Sequence, residues 1–413
     1  MFRAAITFGV FLVSASAADP LDLLRNIDLE AAPHRYYERS TNDRVAKLRK
    51  ELESGRVTLD RSGEKPFLLS LLKALEISET SQMLVLSTTS LQLSLISPSN
   101  PRALYFNEDT YLGIVPGGRV EIISIDPELG GIFYIFDVPK DERPLAIERS
   151  RRCMNCHSGS EAGYVPGLVI KSVVPGRRGG SIDAFRIDMT GHGIPLADRF
   201  GGWYLTGRHG LTNHWANAIG RMAGQKIEKD LLVPGERFPY SKYAVATSDI
   251  LPQLVHEHQA GFVNRVLQLG YAARTMLHES GGAISEELRA KLAPQIQEVV
   301  RYILFADEAS LPAGLEGDAA FIRDFRKDRR ADKNGASLRD FDLQTRMFRH
   351  RCSYMIYNPL LHGLPAPARD AVFAGVKTAL LGGAAGTHIP DEEKAVILSI
   401  LRETHPDFAQ TPN

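Results

Sequence analysis

Residues 102–137 read RALYFNEDTYLGIVPGGRVEIISIDPELGGIFYIFD. β-Branched and aromatic side chains fill 102–106, 110–115, 119–125 and 131–137. Each gap between them is a turn: Asn107-Glu108-Asp109, Pro116-Gly117-Gly118 and Asp126-Pro127-Glu128-Leu129-Gly130. Connections this short join antiparallel neighbours, so the stretch predicts an antiparallel meander. Upstream, 82–87 adds a further strand before the turn at Pro98-Ser99-Asn100-Pro101. Still earlier, Thr41-Asn42-Asp43 caps a helix over 44–54 that stops at Gly55, and Pro66 opens an apolar helix over 67–77.

Downstream the pattern changes. Strands are expected at 168–174 and 202–206, and from Ser248 the period becomes helical. The longest helical segment, 249–280, carries an apolar stripe through Leu251, Val255, Phe262, Val266, Leu269, Ala273 and Leu277, with His258 on the stripe and His256 off it. Further helices are predicted over 285–305, 338–354 (from the Ser337/Asp340 capping box), 367–381 and 392–403, the last capped by Asp391 after Pro390. Asp332-Lys333-Asn334-Gly335 reads as a solvated turn, since Arg330 and Phe341 stand where a calcium loop needs acids. The fold class is therefore α+β: N-terminal helices and an antiparallel β-meander, then a loop-rich segment, then a mostly α-helical C-terminal half. The chain divides into 1–17, 18–145, 146–215 and 216–413.

Between the meander and the helices stands Cys153-Met154-Asn155-Cys156-His157. The C-x-x-C-H spacing lets two thiols add to the two vinyl groups of one porphyrin and holds the adjacent imidazole under the iron. A redox dithiol would need a thioredoxin-like βαβ context, whereas Ser158-Gly159-Ser160 comes after the histidine. A structural zinc site would need a second ligand pair, and the remaining cysteine, Cys352, stands alone in the predicted helix 338–354 as an inert buried thiol. On these residues the chain resembles a c-type cytochrome. The resemblance implies one covalent haem c per chain, with Cys153 and Cys156 as thioether attachments and His157 as an iron ligand. It covers little of the chain; the rest is similar to uncharacterised secreted bacterial proteins with one embedded haem motif.

The amino terminus agrees. Arg3, an apolar run over 4–13 and Ala15-Ser16-Ala17 form a signal-peptide pattern with cleavage near Ala17/Ala18, so a periplasmic or secreted chain is expected. No other run is long and apolar enough to span a bilayer. Forty-nine basic residues balance 49 acidic ones without a basic stripe, which excludes nucleic acid as a partner.

The sixth iron position stays open among His209, His258 and a vacant site, with His214, Met189 and Met276 as further candidates and Trp203 and Tyr204 as aromatics that either flank a haem or belong to the core. Two functions are consistent with this. One is electron transfer with a redox partner protein; the other is a haem enzyme (peroxidase- or oxygenase-like) or gas sensor with an open distal side. Length weighs for an enzyme or a complex partner, because about 100 residues suffice to wrap one haem, whereas the usual role of C-x-x-C-H proteins weighs for electron transfer, the function expected here.

Overall fold

Strand periodicity becomes one sheet. The computed structural model describes residues 20–411 apart from Glu142, residues 187–189 and Ile284. Its main sheet is built from β1 (Met83–Val85), β2 (Arg102–Phe106), β3 (Thr110–Ile114), β4 (Arg119–Asp126), β5 (Gly130–Asp137), β6 (Glu148–Arg149) and β9 (Trp203–Tyr204), all paired antiparallel. The seven lie in the order β6-β5-β4-β3-β2-β1-β9, so two strands from the middle of the chain complete the sheet at its edges. The expected signal peptide, 1–17, and Met189 lie outside the described residues. The short pairs β7 (Val173–Pro175) with β8 (Ser181–Ala184), and β10 (Ala218–Ala223) with β11 (Lys226–Leu231), form two separate hairpins. The second was not expected from the sequence, because its strands expose charged residues.

Alternation gives the sheet two apolar faces. Ala103, Leu112, Val120, Ile132 and Phe136 point to one side and pack with α2 (Arg44–Glu53) and α3 (Glu64–Ala74). Phe67, Leu68, Leu71 and Leu72 of α3 are all buried there, each worth roughly 1.5–3 kcal/mol of transfer free energy. Asp43 fastens α2 to this face: one carboxylate oxygen caps Val45 and Ala46 N–H at 3.0 and 3.1 Å, and the other accepts the Tyr134 hydroxyl at 2.8 Å.

The opposite face receives the long helix. After α1 (Pro20–Arg25) and a four-residue turn of helix, α4 (Met154–His157), come α5 (Ile250–Glu279), α6 (Glu286–Ile303), α7 (Ala319–Phe325), α8 (Pro359–His362), α9 (Ala366–Leu380) and α10 (Asp391–Thr404). Asp249 caps α5 by accepting Leu251 N–H at 3.0 Å. An apolar stripe was expected on this helix, yet nearly every residue from Ile250 to Ala273 is buried, polar ones included. The helix is enclosed on all sides, by the sheet through Phe106 and Tyr111, by α6, and by residues 348–355.

Four local expectations need correction. The segment 338–354 is not a helix. Asp340 does accept Ser337 N–H at 2.9 Å, but it also binds Arg326 and Arg329, and Phe341 stacks on Phe348 with centroids 5.1 Å apart. Tertiary contacts thus hold an irregular loop, and Cys352 sits in it, fully buried, with burial pushing its thiol up. Of 168–174 only Val173 and Val174 are strand, as the start of β7. Pro390, not Asp391, occupies the cap position of α10. Asp332 is buried rather than solvated, accepting Asn334 and Ala336 N–H and the Ser399 hydroxyl.

Gly261 marks how tightly α5 is held. A Cβ there would lie 2.1 Å from the Tyr302 hydroxyl and 2.6 Å from Gly191 Cα. Gly261→Ala is expected to lower unfolding stability by about 1–3 kcal/mol, read as a reduced urea midpoint at unchanged slope; an unaltered midpoint would mean the helix can shift freely.

Candidate functional site

The C-x-x-C-H residues form one turn. Cys153 precedes α4, and His157 N–H closes back on Cys153 C=O at 3.0 Å. Met154 is buried in the core cluster that also holds Phe133, Cys153 is partly buried beside it, and Cys156 is exposed. All three cysteines of the chain are free thiols, and burial raises Cys153 above the ordinary thiol value.

His157 is positioned by the loop ten residues beyond it. Its Nδ1 lies 3.0 Å from Gly167 C=O, and Gly167 N–H returns 2.9 Å to the His157 carbonyl. A carbonyl only accepts, so Nδ1 carries the proton and Nε2 holds the lone pair. Nε2 has no hydrogen-bond partner among the described residues. The Phe133 ring of β5 packs 4.9 Å away. Burial pushes the imidazole down to about 4, so it is neutral at pH 7. A neutral imidazole with its far nitrogen tied to a carbonyl is the arrangement that orients a metal ligand.

The loop carrying Gly167 is itself tied down. Pro166 C=O accepts Gly131 N–H of β5 at 2.7 Å. The Asn264 side chain of α5 accepts Leu168 N–H and donates to Leu168 C=O, both at 2.8 Å. The sequence pattern placed Phe133 in a strand and Asn264 in a helix but marked neither of them, nor Gly167, as partners of His157.

The distal candidates are elsewhere. Thr206 N–H bonds Ser248 C=O, so the loop bearing His209 and His214 begins at the amino end of α5, while Gly167 lies opposite Asn264. Those anchors are about 22 Å apart along the helix at its 1.5 Å rise. His209 Nδ1 accepts Leu211 N–H at 3.2 Å, which leaves the proton on Nε2 and no lone pair there for iron. His214 packs edge-on against His209, centroids 5.0 Å apart. Met276 lines an apolar groove of about 840 Å³ between α5, α6 and α9. Trp203 and Tyr204 are core residues, bonding Lys171 C=O and Pro98 C=O.

His258 is wholly engaged. His192 Nε2 faces Ala306 C=O at 3.3 Å and must donate, so its Nδ1 accepts from His258 Nδ1–H at 2.8 Å. His258 Nε2 then accepts the Ser353 hydroxyl at 2.7 Å. Beside this chain Arg186 grips Glu257 with bonds of 3.0 and 2.7 Å. Burial alone would raise Glu257, but Arg186 and Arg199 outweigh it and hold the carboxylate below its usual value. Next to it His256 packs against Phe106 and Tyr111, centroids 5.4 Å away in each case.

No known protein family, curated protein or solved structure matches this chain.

These buried histidines set a pH dependence. Burial lowers His256 to about 4 and His258 to about 3, and drives His192 well below 6.5. The unfolded chain therefore binds protons first, from about pH 6.5 down, so stability is full above that value and is lost as pH falls toward 3. Asp249 and Glu308, raised by burial to about 6 and about 7, act oppositely but are outnumbered. Urea unfolding at pH 7 and pH 5 should give a lower midpoint at pH 5. Equal midpoints would show that the histidines are not buried as neutral groups.

Proposed function

We propose that this chain is an exported monohaem c-type cytochrome, with haem held covalently by Cys153 and Cys156, His157 as its iron ligand, and one-electron transfer to or from a redox partner protein as its role. The observation that carries the reading is the His157–Gly167 hydrogen bond. It leaves Nε2 free and neutral beside two unpaired thiols on one turn. The residues fit the group: the thiols supply its covalent attachment, His157 one axial nitrogen, and Phe133 an aromatic wall. Bound there, haem would supply a ferric/ferrous couple. The chain's own part is to hold the imidazole in one tautomer and to leave Cys156 and its neighbours Asn155 and Arg152 at the surface, where a partner can approach. No described helix is long and apolar enough to cross a membrane; location in the periplasm rests on the signal-peptide pattern.

One observation favours a second reading, a haem enzyme or gas sensor. The histidines singled out as sixth ligands are tied elsewhere, His258 through both ring nitrogens and His209 through Nδ1. An open distal position would bind small ligands instead of only cycling electrons.

Mass spectrometry of protein exported from a host with haem-attachment machinery should show one haem per chain that survives denaturation. Haem extracted by acidified organic solvent would sink the attachment claim. His157→Ala is expected to abolish the His-ligated optical spectrum. Carbon monoxide then separates the two roles: a low-spin ferrous form indifferent to it supports electron transfer, and a high-spin form that binds it at once supports the enzyme or sensor.

A further inference from the structure

Beside the attachment turn, one face of the sheet carries a buried charge pair with unused hydrogen-bonding capacity. Leu104, Gly113, Glu121 and Ile135 are paired in register across β2 to β5, so their side-chain positions share a face; Phe133 lies two residues from this row on one side and Arg102 two residues from it on the other, its guanidinium reaching back over Gly113 to Glu121. Phe133 is the ring against His157. Arg102 Nη2 lies 2.7 Å from Glu121 Oε2, and the two side chains are only 17% and 13% exposed. Yet the contact is not aligned as a hydrogen bond. Arg102 Nε and Glu121 Oε2 are both buried without a hydrogen-bond partner.

The guanidinium sits where it does because β3 leaves room for it. A Cβ on Gly113 would lie 2.2 Å from Arg102 Nη2 and 2.6 Å from Nε. A glycine in the interior of a strand costs stability and marks a place where another group approaches closely. A buried ion pair is tolerated when directional bonds satisfy its remaining donors and acceptors, and here they do not.

We propose that Arg102 is the residue that receives a carboxylate side chain of the haem, donating through its unpartnered Nε while Nη2 stays beside Glu121. The inference rests on the haem reading above. A guanidinium offers a planar fork of donors that matches a carboxylate, and the haem brings two such groups. Nearby arginines are held by other groups, although Arg149 and Arg119 also have a buried Nε without a hydrogen-bond partner and Arg152 is exposed. Arg149 donates to Tyr36 C=O and stacks 4.4 Å over that ring, Arg151 stacks 4.0 Å over Tyr37, and Arg119 pairs with Asp137 at 2.9 Å.

The test compares full-length haem-loaded wild type with Arg102→Gln, Arg102→Lys and Gly113→Ala, and with Arg143→Gln as a control on an exposed surface arginine. Mass spectrometry reads covalent haem, and an optical redox titration reads the iron. Removing the cation leaves a haem carboxylate uncompensated near the iron and favours the ferric state. For Arg102→Gln the ferric/ferrous ratio at fixed potential should rise on the order of tenfold, about 59 mV in midpoint. Gly113→Ala should shift it the same way, because its methyl displaces the guanidinium without removing it; it also serves if Arg102→Gln fails to fold. Arg102→Lys should shift it less, and Arg143→Gln not at all. Covalent haem in both Arg102→Gln and Gly113→Ala with the wild-type titration overturns the role of Arg102 and leaves the haem reading standing. A wild type without covalent haem overturns the haem reading and this inference together.

Discussion

The bracket that Asn264 places on Leu168 governs the site. Its side-chain amide satisfies both backbone groups of that residue, accepting the N–H and donating to the carbonyl at 2.8 Å. One residue earlier Gly167 exchanges bonds with His157, and one before that Pro166 accepts from Gly131. The segment 165–168 is thus tied to α5, α4 and β5 within four residues. Buried backbone without a ladder partner must find donors and acceptors elsewhere, and here it finds them in groups that also fix the imidazole. Losing the Asn264 amide would free Leu168 first and the orientation of His157 second.

That bracket also explains what the sequence concealed. The apolar run from 168 to 174 has strand composition, and a strand was the natural reading, but Leu168 spends its hydrogen bonds on a side chain and only Val173–Pro175 enters a pair. The meander was legible because alternation and short turns are local signals, and the strand spanning 102–106 falls where composition puts it. Helix 338–354 was misread for the opposite reason. A local capping signal is present, but Asp340 is drawn to Arg326 and Arg329, and four aromatic rings, Phe325, Phe341, Phe348 and Tyr354, cluster in place of helical turns. At the site, the C-x-x-C-H spacing of Cys153, Cys156 and His157 was readable, and the structure sets these residues on one turn. The partners that orient His157 were not, because they sit on two other elements.

The burial of α5 bears on the second axial position of the proposed haem. A stripe pattern suggested one wet face and one apolar face, with His258 on the apolar stripe as a candidate ligand. Instead the helix is sheathed, and its polar residues pair inward: His258 with His192 and Ser353, Glu257 with Arg186, Gln259 with the Tyr354 hydroxyl at 2.7 Å. To reach iron, His258 would have to leave His192 and Ser353 unpaired in the core, at about 1–3 kcal/mol for each stranded group. It would also vacate its stack on Phe305, where the centroids are 4.5 Å apart.

The same burial limits what most of this chain can be for. Its C-terminal helices do not present a second ligand to His157 through any residue that the sequence singled out. What they do supply is α5, the wall against which the loop of Gly167 is pinned, and α6 and α9 in turn pack behind α5. A sheet face with two unequal tenants results: α5 over Phe106 and Tyr111, and the attachment turn over Phe133. Arg102 and Glu121 lie on that face with polar atoms still unpaired. If the proposed haem binds there, the pinned loop and these unpaired atoms are what would meet it.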